Sequence, residues 1–156
     1  MSQALDDALR FVPRSGQPAP LGRWYTLNLT IEALAAAGRF EEAGALHPVA
    51  EDMIERGFAM MKAATLPRTT AGIAAACAHE WSRAESHHQT AIHQADTWPH
   101  RVCQPIARYW YAEMLRARGA PGDDARALDL LVDALGAFEA LGMPLYAQQA
   151  KQKLTV

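Results

Sequence analysis

A short pattern of small and apolar residues recurs three times along the chain and constrains the fold more than any other feature. Its spacing is i, i+4, i+7 and i+11, and successive copies begin 41 and then 43 residues apart, at Ala43, Ala84 and Ala127. Positions spaced in this way lie on one side of an α-helix, so each copy predicts a helix face on which a neighbouring helix packs closely. The three copies, called the stripes below, are Ala43, His47, Ala50 and Ile54; Ala84, His88, Ala91 and Ala95; and Ala127, Leu131, Ala134 and Phe138.

Composition and punctuation extend the helical prediction to the whole chain. Ala makes up about a fifth of the residues, and no stretch alternates apolar and polar residues over the length of a strand. Gly and Pro separate a series of helical segments from one another. The predicted helices are 21–37, 40–56, 66–78, 82–96, 104–118, 124–141 and 144–154, after a short one near Ser2 to Phe11.

The positions of Gly and Pro also predict the domain organisation. Residues 1–20 are expected to form a leader with one short helix and a Pro-rich linker, and residues 21–156 a helical-repeat domain of about three helix pairs plus a terminal helix. Two helix starts carry capping signals. Ser82 and Glu85 have the Ser-x-x-Glu spacing of a capping box, and Asp123 or Asp124 is placed to cap the helix that follows.

Charge and hydropathy exclude several classes of partner. The chain has 15 Lys+Arg against 17 Asp+Glu and a formal net charge of −2, without the basic cluster that nucleic acid or an anionic membrane surface requires. Its apolar runs are much shorter than a membrane span. The N-terminus is acidic where a secretory signal would be basic, which predicts a cytoplasmic protein with reduced cysteines.

A more specific resemblance lies in the C-terminal half. The segments RYWYAEML at 108–115, RGAPGD at 118–123, AL at 134–135 and LGMP at 141–144 resemble the C-terminal tetratricopeptide-like region of large bacterial regulators. Those regulators join such repeats to an ATPase module and to a cyclase or DNA-binding domain. The likeness covers roughly residues 21–150, and the spacing here is longer than the usual 34 residues of a tetratricopeptide repeat. Neither the ATPase nor the output domain is present, so their activities do not carry over.

The resemblance implies a fold and a function. The fold would be all-α, with antiparallel helix pairs stacked as a short tetratricopeptide-like right-handed solenoid. The function would be a protein-interaction or sensing module without catalytic residues, binding a peptide or partner protein on its concave face. Tyr109, Trp110 and Tyr111 spread around about 200° of a helix, so at least one ring is expected to be exposed. The residues predicted to bind the partner are Arg108, Trp110, Tyr111 and Trp24.

A second hypothesis comes from the histidines. His79, Glu80 and His87 are candidates for the acid–base groups of a small hydrolase of esters or lactones, acting directly or through a water activated by a divalent ion. No metal site is predicted, since no two histidines are four residues apart and Arg83 replaces the second His of the two-turn zinc motif. For His88 we predict a structural role instead: its ring fills space between helices, and a ring nitrogen is hydrogen-bonded.

A third hypothesis is a small-molecule effector-binding fragment of a regulator. No cofactor is predicted, because no Gly-Lys phosphate loop and no GxGxxG sequence is present. The Gly-x-Ser-x-Gly elbow of serine hydrolases is also missing. Exposed apolar faces on the end repeats would favour a homodimer through the repeat ends.

Overall fold

The chain folds into α-helices. The computed structural model describes residues 2–59, 65–98 and 100–155, and within these ranges it contains no strand, which confirms the all-helical prediction. The helices are α1 (Ser2–Leu9), α2 (Leu21–Ala36), α3 (Phe40–Ala45), α4 (His47–Glu55), α5 (Pro67–Cys77), α6 (Trp81–Thr97), α7 (Cys103–Arg118), α8 (Asp123–Ala140) and α9 (Pro144–Leu154). None of these helices is long and apolar enough to cross a membrane.

The predicted helix 40–56 is divided into two. Leu46 ends α3 and begins α4, and Pro48 lies in the first turn of α4. Proline has no amide hydrogen to donate to the carbonyl four residues before it, and its ring crowds that carbonyl. A helix therefore starts readily at this position but does not continue through it.

The stripes form the contacts between helices. Every stripe residue is buried except Ile54, which is partly buried. The second and third stripes each lie on one helix, α6 and α8, as predicted, whereas the division at Leu46 leaves Ala43 on α3 and the rest of the first stripe on α4. Consecutive helices from α5 to α9 pack on each other, α2 packs on α3 and α5, and α5 also packs on α7. Small side chains on the stripes let these helices approach closely, and the apolar side chains around them form one continuous core.

The leader is attached to this core. Leu5 of α1 belongs to the core cluster, and Asp6 accepts a hydrogen bond from Arg39 at 2.6 Å. Asp52 of α4 accepts a hydrogen bond from the backbone amide of Gly16 at 2.7 Å. These contacts place both the short helix and the Pro-rich linker against the helical domain.

The two predicted helix caps are wrong. Because α6 begins at Trp81, immediately after the turn that ends α5, Ser82 lies inside the first turn and cannot cap it. Glu85 instead accepts hydrogen bonds from Arg118 at 2.6 Å and from the Tyr111 hydroxyl at 2.9 Å, tying α6 to α7. Asp123 accepts two hydrogen bonds from Arg118, at 2.7 and 2.8 Å, and forms no side-chain cap on α8. In both cases Arg118 donates hydrogen bonds to the carboxylate that was predicted to cap the helix.

Candidate functional site

A pocket of about 550 Å³ lies among residues of α2, α5, α6, α7 and α9. Its wall is mostly apolar, with polar groups at a few positions, which is the usual composition of a small-molecule site. The apolar lining residues include Ala35, Ala36, Phe40, Ile73, Ala76, Trp81, Trp110, Met114 and Ala117. The polar ones are Cys77, His79, His88, Tyr109, Glu113, Gln149, Gln152 and Lys153.

His88 is the most unusual group in this wall. Its side chain is 0% exposed, and neither ring nitrogen has a partner in hydrogen-bond geometry among the described residues. The ring stacks on Tyr111, with centroids 5.6 Å apart, and lies so close to Gly72 that a Cβ there would be 2.7 Å from Nε2. Burial lowers the pKa of His88 to about 3, so the imidazole is neutral at physiological pH. The ring does fill the space between helices, as predicted, and the backbone of Gly72 lies beside it as a poorly aligned hydrogen-bond partner that opposes the fall in its pKa.

His79 lies at the end of α5 in a conformation that favours glycine. Four helices end in a Schellman motif, in which the residue after the C-cap has a positive φ: α2, α4, α5 and α8. Three of them have glycine there, at Gly38, Gly57 and Gly142, whereas α5 has His79 with φ +60°. Among the described residues His79 is the only one other than glycine with a positive φ. The side chain of this strained residue lines the pocket.

Two further polar features come from α7 and α9. Glu113 of α7 and Lys153 of α9 form an ion pair. The Tyr109 hydroxyl makes no hydrogen bond to the described residues, and burial raises the pKa of Tyr109, so the group remains protonated and can donate. Sequence reasoning missed all three of these residues. For Tyr109 and Glu113 the available signal was helical spacing, since 109, 110, 113, 114 and 117 lie on one side of α7. Lys153 lies on α9, and no signal in the sequence pointed to it.

The aromatic triplet on α7 is buried, contrary to the prediction that one ring is exposed. Trp110, the most exposed of the three, has 8% of its surface accessible. Its indole nitrogen donates to Glu32 of α2 at 3.2 Å, and the hydroxyl of Tyr146 on α9 donates to the same oxygen at 2.8 Å. Helices α6 and α8 pack against α7, and the Glu32 link covers Trp110 on the side of α2. Trp110 therefore lines the pocket without projecting from the surface.

The other predicted partner-binding residues lie elsewhere. Trp24 is 2% exposed, packs on Phe58 and donates its indole hydrogen to the Ala19 carbonyl at 3.3 Å. Arg108 forms a two-point ion pair with Asp96, at 2.8 and 2.9 Å. Of the four predicted residues, only Trp110 is part of the pocket.

The three candidate acid–base residues are not brought together. His79 lines the pocket and Glu80 is exposed at the start of α6. His87 is buried elsewhere, with Nε2 2.9 Å from Glu51 and Nδ1 3.0 Å from Arg68. Because arginine can only donate, Nδ1 must accept, so His87 is neutral and donates Nε2–H to Glu51. Burial lowers the pKa of His87, which is consistent with the neutral form.

The histidine-rich region does not form a metal centre in the part of the chain that the structure describes. Within it, no three His, Cys, Asp or Glu side chains are arranged to hold an ion. His47 and His87 both contact Glu51, each through Nε2 at 2.9 Å. The His47 contact lies within α4, and the His87 contact joins α6 to α4.

No model of a protein family, no curated protein and no solved structure matches this chain.

Proposed function

We propose that this protein is a binding module for a small molecule, which occupies the pocket between α2, α5, α7 and α9. The observation that carries the proposal is a largely apolar pocket of about 550 Å³ with a few polar groups in its wall, among them the Tyr109 hydroxyl, which makes no hydrogen bond to the described residues. A buried polar group without a partner costs about 1–3 kcal/mol of folding free energy, and a ligand that hydrogen-bonds to the group recovers part of that cost. Sensing of a small molecule is thus favoured over docking of a peptide, for which three of the four predicted anchors are buried or paired outside the pocket.

The position of the pocket agrees with a tetratricopeptide-like arrangement. Helices α2, α5 and α7 are the first members of the successive helix pairs, and the terminal helix α9 takes the next such position. In a right-handed solenoid of such pairs the first helices line the concave face. We therefore propose that the pocket is the concave face of a short solenoid, narrowed by the Glu32 link between α2, α7 and α9.

The binding proposal can be tested by filling the pocket. Ala36 of α2 is exposed and lines the pocket, so Ala36→Trp should occupy the cavity without disturbing the core. With 2-naphthol as the probe, we expect saturable binding to the unmodified protein in isothermal titration calorimetry, and loss of that binding in the variant. Ala33→Trp is the matched control, because Ala33 is an exposed alanine of the same helix outside the pocket lining. Equal binding to both variants, or no saturable binding to the unmodified protein, would contradict the proposal.

The strained His79 gives a second prediction. We expect His79→Gly to raise the free energy of unfolding by about 1 kcal/mol, because glycine adopts φ +60° without steric cost. The same change should weaken 2-naphthol binding, because it removes a side chain from the pocket wall. Urea unfolding and titration calorimetry measure the two effects.

The reverse change at a comparable position is the control. Gly57 has φ +83° at the end of α4 and does not line the pocket, so Gly57→His should lower stability and leave binding unchanged. A less stable His79→Gly protein would contradict the strain argument, and unchanged binding of the probe would show that His79 has no role at the pocket.

A further inference from the structure

We propose that the pocket selects an uncharged, mainly apolar cyclic molecule that carries a hydroxyl, carbonyl or amide group, and that the Tyr109 hydroxyl binds this group. The inference rests on the small-molecule function proposed above and adds the chemical class of the ligand. It also assigns Tyr109 as the residue that determines specificity.

The charges in the pocket argue for an uncharged ligand. With histidines counted as neutral, Glu113 and Lys153 carry the only formal charges among the described lining residues, and they are paired with each other. A ligand with a net charge would lose its hydration without gaining a free counter-charge, unless it broke this pair. An uncharged ligand incurs neither cost.

The Tyr109 hydroxyl is a polar group of this wall that makes no hydrogen bond to the described residues. It stays protonated because burial and the nearby Glu113 and Glu32 raise its pKa. A hydroxyl can both donate and accept, and Gln149 and Gln152 add neutral amides to the same wall, which matches a hydroxyl, carbonyl or amide on the ligand. Both ring nitrogens of His88 are buried, so a ligand in the pocket does not reach them.

The apolar part of the wall favours a ring. Trp81, Trp110 and Phe40 present aromatic surfaces to the pocket. Flat aromatic faces pack best against a flat or cyclic molecule. A site that hydrogen-bonds a ligand also discriminates strongly against an analogue without the polar group, since its own buried groups are then left unpaired.

A matched series of four probes tests the inference. The probes are 2-naphthol, naphthalene, 2-naphthoate and 2-naphthylmethylammonium, titrated by calorimetry at pH 7.5. We expect 2-naphthol to bind at least about tenfold more tightly than either ion and several-fold more tightly than naphthalene. Equal or tighter binding of either ion would overturn the inference.

Variants identify the residue that binds the hydroxyl. Tyr109→Phe removes only one oxygen, so we expect it to reduce the preference for 2-naphthol over naphthalene and to leave naphthalene binding unchanged. Tyr25→Phe is the matched control: Tyr25 lies on α2 outside the pocket lining, so the preference should persist. If Tyr109→Phe keeps the full preference, the assignment of this residue is wrong.

The outcomes separate this inference from the proposed function. Tight binding of an ion that Ala36→Trp abolishes would leave the pocket as a ligand site and overturn only the chemical class. Failure of all four probes to bind would overturn both proposals.

Discussion

Ala134→Glu is expected to lower the free energy of unfolding by more than about 3 kcal/mol, the largest effect of any substitution considered for this chain. Ala134 lies on the stripe of α8, is 0% exposed, and belongs to the core where α8 packs on α7. At present only the methyl group of Ala134 lies at this helix contact. Glutamate would place an unpaired carboxylate there. Urea unfolding followed by circular dichroism measures the loss.

The control for this prediction is the same change at an exposed alanine of α8. Ala125 lies in the first turn of that helix, where a carboxylate interacts favourably with the free amides of the helix terminus. Ala125→Glu is expected to change stability by less than about 0.5 kcal/mol. If Ala134→Glu were as harmless as Ala125→Glu, the stripe could not be the packing face.

Gly72→Ala is expected to cost about 2–3 kcal/mol, although Ala is normally the better helix former. The added Cβ would lie 2.7 Å from Nε2 of His88 and 2.8 Å from two carbons of the same ring. The ring has no exposed surface and stacks on Tyr111, so it has little room to retreat. Thermal and urea unfolding of the variant report the cost.

Two controls test whether the contact with the His88 ring causes this loss of stability. Gly136 is within helix α8 with open space around its Cα, so Gly136→Ala should stabilise the protein by about 0.5–1 kcal/mol. In the second control, combining Gly72→Ala with His88→Ala should cost less than the sum of the single changes, because the second change removes the clashing ring. Strict additivity would show that Gly72 and His88 do not press on each other.

The helices could be predicted because their signals are local. Glycine and proline set their ends, and the repeated stripes marked the faces that are buried, down to individual residues such as Ala84 and Phe138. The division at Pro48 follows from the same local chemistry and could have been predicted. The prediction of the capping box was wrong for a different reason. Glu85 accepts a hydrogen bond from Arg118, 33 residues away in the chain, and no local sequence pattern predicts that contact.

The site depended on contacts between distant residues. Trp110 was predicted to bind a peptide or partner protein, but its burial depends on Glu32, 78 residues earlier, and on the helices packed on both sides of α7. The sequence by itself determined which segments are helical and which face of α6 and of α8 is buried, because both depend on residues one or two turns apart. Only the tertiary structure decided that His79, His88 and Tyr109 line one pocket, because these residues come from separate segments whose approach is set by the packing of the whole chain.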